Sequence, residues 1–307
     1  MKSIIKRNNN IHFSVLLCCY NDEKYITTSI NSILNQEYKY FEIIIIDDGS
    51  ESKTKKILDK FKKQDERIKI YTNSKNIGLT KSLNKGIKLC KYEWIARIDA
   101  DDLWERNKLL LQSRFINQNK NLVLICSSWF NINKNGKIIN RVISNENKVY
   151  YNIRKCIPAV SHSTVIFNKK TALTAGLFRE RLYSCQDLDF WKRIIEFGEI
   201  KYLSNQLSKI RIHKNQITRK DRSNQLLNSI IIKLSIFFKN KFNIDLIDDL
   251  NDKVFTNLIK IINDKLIRIN YFNLRIRFEE NKFNLKKNVF FYFLFILLNI
   301  NYLVKFK

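Results

Sequence analysis

Short runs of apolar residues recur along the first two thirds of the chain, and most are followed by a segment with apolar positions three or four residues apart. The runs are mainly apolar and most show no regular alternation, as in strands covered on both faces of a sheet, and the longer segments have the spacing of amphipathic helices. The predicted strands are Phe13–Cys19, Phe41–Ile46, Ile68–Tyr71, Trp94–Ile98, Leu122–Ser127, His162–Phe167 and Ile210–His213. This alternation predicts an α/β fold with a mostly parallel, twisted sheet flanked by helices.

Polar residues follow directly after three of these strands. Tyr20 and Asn21 end the first strand, Asp48 follows the second, and Asp99 and Asp101 follow the fourth. The carboxyl ends of parallel strands lie at one edge of a sheet, and ligands of doubly wound folds bind beyond that edge. The sequence therefore predicts one site built from these three strand ends. Asn21, or Asp22 beside it, is also expected to cap the helix that follows.

The acidic segment lies within Tyr92–Trp104, which reads YEWIARIDADDLW and contains Asp99, Asp101 and Asp102. Three carboxylates within four residues repel one another. A divalent cation with nucleotide phosphates would turn that repulsion into binding, because hard cations take carboxylate and phosphate oxygens. The alternative is a solvated acidic turn that caps a helix beginning near Glu105. Considered alone, this segment leaves both interpretations open.

The composition narrows the class of partner. The chain has 307 residues and a formal net charge of +27, which indicates an anionic partner such as nucleic acid, a sugar nucleotide or an anionic membrane surface. The charge is spread almost evenly and no nucleic-acid-binding motif is present, so no nucleic-acid partner is predicted. The six cysteines show no CxxC spacing, which is typical of a reducing compartment and favours a cytoplasmic location.

Residues 220–307 have a different character from residues 1–219. They contain no glycine and no proline, and their apolar positions have helical spacing, which predicts an α-helical C-terminal extension. Val289–Leu298 is the most apolar run of the chain, but it is shorter than the roughly 20 residues of a membrane span. Two interpretations remain: a buried helix packed on the protein or in a homo-oligomer, or a helix at the membrane interface. Two predicted apolar stripes precede it: Leu226, Ile230 and Leu234, then Leu246, Leu250, Phe255 and Leu258.

Four motifs carry a family resemblance: FSVLLCCYNDEKY, EIIIIDDGS, NIGLTKSLNKGI and ARIDADD. In this order and spacing they resemble family 2 glycosyltransferases of the GT-A (Rossmann-like) fold, above all bacterial enzymes that build capsule, exopolysaccharide or lipopolysaccharide. The resemblance covers roughly residues 11–215 and implies a nucleotide-sugar-dependent domain within residues 1–219. It implies that Tyr20, Asn21 and Asp48 hold the nucleotide. It further implies that Asp99-Ala100-Asp101, the DxD motif, binds the ribose and a Mn²⁺ or Mg²⁺ on the diphosphate.

A fifth segment, SCQDLDFWKR, resembles the family's "ED…W.R" motif. The resemblance implies that Asp187 deprotonates the acceptor hydroxyl, giving transfer with inversion, with Asp189 as the alternative base. Gln186 replaces the usual glutamate. Without the resemblance, Asp187 would be read as a carboxylate stabilised at a helix N-terminus.

A sixth segment, Ile210-Arg211-Ile212-His213, is similar to a "YRxH"-like segment of the family. The similarity implies that Arg211 contacts the diphosphate and that His213 joins Asp99 and Asp101 as a metal ligand. His162 is interpreted as a residue at the edge of the core, and a position facing the acceptor is the alternative.

The resemblance and the residues together predict an inverting, metal-dependent glycosyltransferase. A nucleotide sugar, foremost a UDP-sugar, would be the donor, and a saccharide or lipid-linked saccharide the acceptor, in surface polysaccharide biosynthesis at the cytoplasmic face of the membrane. A non-catalytic nucleotide-sugar-binding subunit and a basic nucleic-acid-binding protein are the alternatives. A dehydrogenase or nucleotidyltransferase is disfavoured because no glycine-rich loop follows the first strand.

Overall fold

The computed structural model describes residues 10–214, 216 and 222–268. Its contacts divide the chain into two compact units, residues 1–229 and 230–307. The elements before the division are β1 (Phe13–Cys19), α1 (Ile26–Leu34), β2 (Phe41–Asp47), α2 (Ser52–Gln64), β3 (Ile68–Thr72), α3 (Leu79–Leu89), β4 (Trp94–Asp99), β5 (Leu103–Trp104), α4 (Lys108–Gln118), β6 (Leu122–Ile132), β7 (Ile138–Val142), α5 (Glu146–Arg154), β8 (Ile166–Asn168), α6 (Lys169–Thr174), α7 (Gln186–Ile194) and β9 (Glu199–Arg211). They are followed by α8 (Arg222–Phe242), which contains the division, and α9 (Asp252–Arg268).

In the described residues the strands form one sheet in the order β3-β2-β1-β4-β8-β6-β9-β5, and β7 pairs with β6 beside this order. The first four strands of that order run parallel to one another, as predicted. Beyond β4 the sheet is mixed, because β8 runs antiparallel to β4 and β6 while β9 runs parallel to β6. The predicted α/β fold is therefore confirmed. Its parallel part consists of β1 to β4, the first four strands of the chain.

Successive side chains of β1 enter two different cores. Val15 and Leu17 pack with α1, α2 and α4 on one face of the sheet, whereas Leu16 packs with α3, α5 and α7 on the other. Because helices cover both faces of this strand, apolar residues follow one another from Val15 to Cys19 without alternation. Helix α3 approaches this strand closely, since a Cβ built on Gly86 would lie 2.3 Å from a Leu16 methyl carbon.

The predicted strand His162–Phe167 was wrong in its first half. His162–Thr164 form a short 3-10 helix, and β8 begins only at Ile166. The Thr164 hydroxyl donates to the Ser161 carbonyl at 2.7 Å, a local hydrogen bond of the kind that competes with strand pairing. This turn brings Ser163, beside His162, to the carboxyl end of β4, where Ser163 Oγ accepts from the Asp99 N–H at 2.9 Å.

Other boundaries differ from the prediction for local reasons. Helix α1 begins at Ile26 and not after Asn21 or Asp22, because Asn21 adopts a left-handed backbone conformation with φ of 55°. Helix α4 begins at Lys108 and not near Glu105, because the two-residue strand β5 comes first.

The chain from β6 to β9 holds a tight turn, one helix that was not predicted and one strand that is longer than predicted. The turn at Asn135-Gly136 joins β6 to β7, and Gly136 has φ of 86°. Helix α5 lies in the segment 144–157, where no element was predicted, and Asn145 caps it by accepting from the Lys148 N–H. Strand β9 begins eleven residues before the predicted Ile210, because its first part mixes polar and apolar positions.

The second unit contains most of α8 and all of α9. Buried Ile231, Leu234 and Phe238 repeat at helical spacing on α8, and Phe255 and Leu258 do so on α9. The predicted run Val289–Leu298 lies outside the described residues. Within residues 10–214, 216 and 222–268, no helix combines the length and the apolar character needed to cross a membrane.

Lys108, the first residue of α4, is fully buried. Its Nζ donates to Gln112 Oε1 at 2.6 Å and to the Thr164 carbonyl at 3.0 Å, and it lies 5.0 Å from the centre of the Trp104 ring. Burial lowers the pKa of Lys108 to about 7. The folded protein thus releases this proton near neutral pH, whereas an unfolded lysine keeps it until about pH 10.4.

Stability is therefore expected to rise with pH through Lys108. Above about pH 7 the unfolded chain binds this proton and the folded chain does not, so the free energy of unfolding gains up to about 1.4 kcal/mol per pH unit. Lys108→Met keeps the aliphatic length and removes the proton. Urea unfolding of both proteins between about pH 7 and 8.5 measures the difference, and the ionisation of unfolded cysteines near pH 8.5 contributes equally to the two proteins. Equal pH slopes would contradict this prediction.

Candidate active site

The carboxyl ends of β1, β2 and β4 lie side by side. In the parallel register Cys19 is opposite Asp47 and Cys18 is opposite Asp99, so the residues that follow these strands emerge together. The Asp48 N–H donates to the Cys19 carbonyl at 2.9 Å, which continues the pairing by one step. The structure thus brings the three predicted strand ends together at one edge of the sheet.

Tyr20 and Asn21 have different surroundings. The Tyr20 side chain is 47% exposed at this edge. Asn21 instead joins two loops: its N–H donates to Ser50 Oγ at 3.0 Å, and its Oδ1 accepts from the Glu51 N–H at 2.8 Å. The Tyr20 ring is therefore open to a ligand, while Asn21 fixes the loop before α2. Nucleotide contact by either residue stays a prediction.

Asp48 is 4% exposed and organises the loop between β3 and α3. Its carboxylate accepts from Asn73 Nδ2 at 2.7 Å, from the Ile77 N–H at 3.0 Å and from the Gly78 N–H at 2.9 Å. The Asn-Ile-Gly segment, which was one of the resembling motifs, is thereby held against the end of β2. The predicted nucleotide contact of Asp48 stays a prediction, and its observed contacts are with the protein.

Asp99 faces a buried arginine. The fully buried Arg97 guanidinium forms an ion pair with the Asp99 carboxylate. Burial alone would raise the pKa of Asp99, but the Arg97 charge and the nearby His162 bring it below its ordinary value. Asp99 is therefore held as an anion with its own counter-charge, and its predicted roles at the metal and the ribose stay predictions.

Asp101 meets His213 because β5 pairs with the end of β9. Strand β5 follows the acidic segment directly, and Leu103 lies opposite Lys209 in an antiparallel pair. Beyond this pair the Asp101 carbonyl accepts from Arg211 Nε at 2.7 Å, and His213 Nε2 lies 2.8 Å from Asp101 Oδ2. Burial raises the pKa of Asp101, the charge of Asp99 raises it further, and the contact with His213 opposes both.

Asp102 is not part of a solvated turn, because it is 2% exposed. Its carboxylate accepts from Ser163 Oγ at 2.6 Å and from the Arg211 N–H at 2.8 Å. Ser163 Oγ in turn accepts from the Asp99 N–H at 2.9 Å. Asp102 and Ser163 therefore tie the DxD turn to the end of β9, and the interpretation of the acidic segment as a solvated cap is wrong.

Arg211, a predicted diphosphate contact, is 4% exposed and is bound to backbone carbonyls. Besides the Asp101 carbonyl, its guanidinium donates to the carbonyls of Asn133 and Lys134, both at 3.2 Å, and lies 4.5 Å from the centre of the Tyr25 ring. It joins the DxD turn to the turn between β6 and β7. A phosphate contact by Arg211 stays a prediction.

Asp22 belongs to the site and was missed as a site residue. Its Oδ2 accepts a hydrogen bond from the Tyr20 N–H at 2.9 Å. The negative charges of Asp101 and Asp99 lie near enough to repel its carboxylate. Burial raises the pKa of Asp22 to about 6, and the two neighbouring carboxylates contribute in the same direction. The signal in the sequence was its position directly after the exposed Tyr20-Asn21 end of β1.

Asp187 and Asp189 have opposite environments in the first turn of α7. Asp189 is 4% exposed, and its carboxylate accepts from Arg179 at 3.2 Å and from Arg193 at 2.7 Å. The Asp187 side chain is 26% exposed and, within the described residues, forms no hydrogen bond. Its Oδ2 lies 3.7 Å from His162 Nε2. Of the two candidate bases, the structure leaves Asp187 open and binds Asp189 into the protein.

Residues 14–173, just over half of the chain, match the family model of glycosyl transferase family 2. The chain therefore belongs to this family. It is 32% identical over 211 residues to an uncharacterized glycosyltransferase of Rickettsia bellii, covering 67% of this chain and 29% of that protein. It is 36% identical over 220 residues to the O-antigen biosynthesis glycosyltransferase WbnJ of Escherichia coli, covering 67% of this chain and 82% of WbnJ.

Two solved structures share the fold. The crystal structure of S. aureus TarS 1-349 in complex with UDP-GlcNAc has a TM-score of 0.61 and 20% identity, covering 88% of this chain and 78% of that solved chain. The mannosyltransferase PcManGT from Pyrobaculum calidifontis, in complex with GDP-Man and Mn²⁺, has a TM-score of 0.57 and 14% identity, covering 72% of this chain and 64% of that chain. The predicted GT-A fold is therefore confirmed.

Proposed function

We propose that this protein is an inverting, metal-dependent glycosyltransferase that moves a sugar from a nucleotide-sugar donor to a hydroxyl of its acceptor. The observation that carries the proposal is the open carboxylate of Asp187 beside the DxD segment. His162 Nε2 lies 3.7 Å from Asp187 Oδ2, and the adjacent Ser163 accepts from the Asp99 N–H at 2.9 Å, so one short turn lies next to both the candidate base and the DxD segment. Membership of glycosyl transferase family 2 supports the same reaction class.

In this proposal Asp187 is the general base. Its carboxylate accepts the acceptor hydroxyl proton while the hydroxyl oxygen attacks the anomeric carbon from the face opposite the leaving nucleotide, which inverts the configuration. Asp187 lies in the first turn of α7. Asp189, with its two arginine partners, holds the first turn of this helix in place.

Asp101 and His213 fit the role of two ligands for Mn²⁺ or Mg²⁺. Their facing atoms are 2.8 Å apart, and such cations bind through one or two protein groups together with substrate phosphates and water. No cluster of three or more His, Cys, Asp or Glu side chains that could hold a metal occurs within the described residues, so the donor phosphates would complete the site. A bound cation would stabilise the negative charge that develops on the leaving diphosphate.

The substrates are proposed from the relatives and from charge. TarS was solved with UDP-GlcNAc, which supports a UDP-sugar donor, and PcManGT was solved with Mn²⁺. WbnJ, an O-antigen biosynthesis enzyme, supports a saccharide or lipid-linked saccharide acceptor in surface polysaccharide biosynthesis. The net charge of +27 supports work at the anionic cytoplasmic face of a membrane. Residues 220–307, which the sequence predicts to be an α-helical extension, are the proposed place for contact with that surface or with a second copy.

The test begins with donor binding. Calorimetry with UDP-GlcNAc, UDP-glucose, UDP-galactose and GDP-mannose, each with and without Mn²⁺, is expected to give one nucleotide sugar whose affinity depends on the metal. The affinity of Asp101→Asn for Mn²⁺ at saturating nucleotide is expected to fall by about 10- to 100-fold. Losing a residue that only hydrogen-bonds a metal ligand already lowers metal affinity by this much, and losing a ligand should cost at least as much.

Asp59→Asn, an exposed change on α2, is the matched control and is expected to behave as wild type. A wild-type protein that binds none of these nucleotide sugars in the presence of Mn²⁺ would contradict the proposed function. Metal affinity that is unchanged in Asp101→Asn would contradict only the assignment of Asp101.

A further inference from the structure

His162 lies against the candidate base in a wall of aromatic side chains. Its ring centroid is 6.1 Å from that of Phe178 and 5.9 Å from that of Trp191. The imidazole side chain is only 12% exposed, and its Nε2 lies 3.7 Å from Asp187 Oδ2. The ring is thus fixed by packing, with one nitrogen directed toward Asp187.

The other nitrogen of His162 faces the interior. Nδ1 is buried and has no hydrogen-bond partner among the residues that the structure describes. A proton on Nδ1 would leave a buried N–H donor unpaired, which is costly, whereas a proton on Nε2 points at a carboxylate. Burial lowers the pKa of His162, although Asp187 and Asp99 oppose this shift. The neutral tautomer with the proton on Nε2 is therefore the one that this environment favours.

We infer that His162 is a positioning residue for Asp187. Its Nε2–H donates a hydrogen bond to one carboxylate oxygen of Asp187 when the substrates bind, which leaves the other oxygen to take the acceptor proton. The observed 3.7 Å is too long for a hydrogen bond, and catalytic hydrogen bonds of ligand-free sites commonly tighten in the substrate complex. This inference rests on the proposed function, in which Asp187 is the base.

The surroundings favour this role over a proton relay. The charged groups that interact with the imidazole are Asp187 from α7 and Asp99 and Arg97 from β4. A relay would have to pass the proton onward through Nδ1, which has no partner within the described structure. His162 can therefore hold and orient Asp187 but has no route by which to carry its proton away.

Three substitutions separate the hydrogen bond from the packing. His162→Gln sets an amide nitrogen near the position of Nε2, His162→Asn sets it near Nδ1, and His162→Phe keeps only the ring. Turnover is measured as metal-dependent hydrolysis of the nucleotide sugar that binds, with calorimetric donor affinity beside it. His162→Asn and His162→Phe are expected to lose about 10- to 100-fold in turnover, the scale of a hydrogen bond to a charged group, with donor affinity unchanged. His162→Gln is expected to recover most of the loss.

A second measurement needs no turnover. The chain has three histidines, so ¹⁵N-histidine NMR gives three pairs of ring-nitrogen signals, and the pair missing from the spectrum of His162→Gln belongs to His162. At neutral pH this ring is expected to be neutral with the proton on Nε2, and Asp187→Asn is expected to shift its nitrogen signals. A proton on Nδ1, or a signal indifferent to Asp187→Asn, would overturn the inference.

The two failures can be told apart. If the wild type binds no nucleotide sugar, the proposed function fails, and the NMR result still tests the contact between His162 and Asp187. If donor binds and Asp187→Asn lowers turnover while His162→Asn and His162→Phe match wild type, the positioning role fails and the proposed function stands. Equal losses in His162→Gln and His162→Phe would also overturn the positioning role, because the loss would then follow the packing of the ring.

Discussion

Asp187→Asn is expected to lower turnover of the bound nucleotide sugar by about 10²- to 10⁴-fold, the range that a general base contributes. Donor affinity is expected to stay near the wild-type value, because Asp187 is not among the residues proposed to hold the nucleotide. Stability is also expected to stay the same, because the side chain is 26% exposed and forms no hydrogen bond within the described residues. Steady-state hydrolysis, calorimetry and urea unfolding measure these three quantities.

The asparagine keeps the shape of the side chain and removes the basic lone pair, so a loss of turnover alone identifies the base. Asp187→Glu is a useful companion, since it keeps the carboxylate and moves it by one methylene. We expect it to retain more turnover than Asp187→Asn. If Asp187→Asn has wild-type turnover, the assigned base is incorrect, and if the wild type binds donor without any turnover, the non-catalytic binding subunit becomes the better interpretation.

The strand ends of the parallel sheet could be predicted from the sequence because the causes are local. A continuous apolar run specifies a strand buried on both faces, and a polar residue directly after it must emerge at the carboxyl edge. Tyr20, Asp48 and Asp99 were found in this way. Helix and strand identity thus followed from patterns that extend over only a few neighbouring residues.

The contacts that decide each residue's role could not be predicted, because they join distant parts of the chain. Asp102 is buried because a strand of only two residues, β5, pairs with β9 more than a hundred positions later. His162 reaches Asp187 because a 3-10 turn interrupts what the apolar pattern presented as a strand. Such juxtapositions depend on the register and handedness of the whole sheet, which local periodicity does not encode.

The choice between Asp187 and Asp189 is of the same kind. Both are acids in the first turn of one helix, and they differ in the sequence by two positions only. Arg179, which precedes the helix, and Arg193, one turn along it, determine which carboxylate is bound and which is open. A predicted site is therefore a set of candidates, and their ion-pair partners assign the roles.

Asp189→Ala is expected to lower the free energy of unfolding by about 3–5 kcal/mol, the usual cost of breaking a buried ion pair by removing one partner. The substitution leaves Arg179 and Arg193, whose side chains are 12% and 18% exposed, without their shared counter-charge. Arg193 also donates to the Leu177 carbonyl at 2.6 Å, so the loop before α7 is expected to loosen with it. Urea unfolding followed by circular dichroism measures the loss.

Asp187→Asn and Asp189→Ala together form a test in which each residue is the control for the other. Asp187→Asn should lose turnover at wild-type stability, and Asp189→Ala should lose stability while the folded fraction keeps most of its turnover at low temperature. The opposite pattern, a stable Asp189→Ala protein without turnover, would make Asp189 the base. For Asp189 to act as the base, Arg179 and Arg193 would have to release its carboxylate, which is 4% exposed. The ion pairs that stabilise the first turn of α7 would then oppose the reaction.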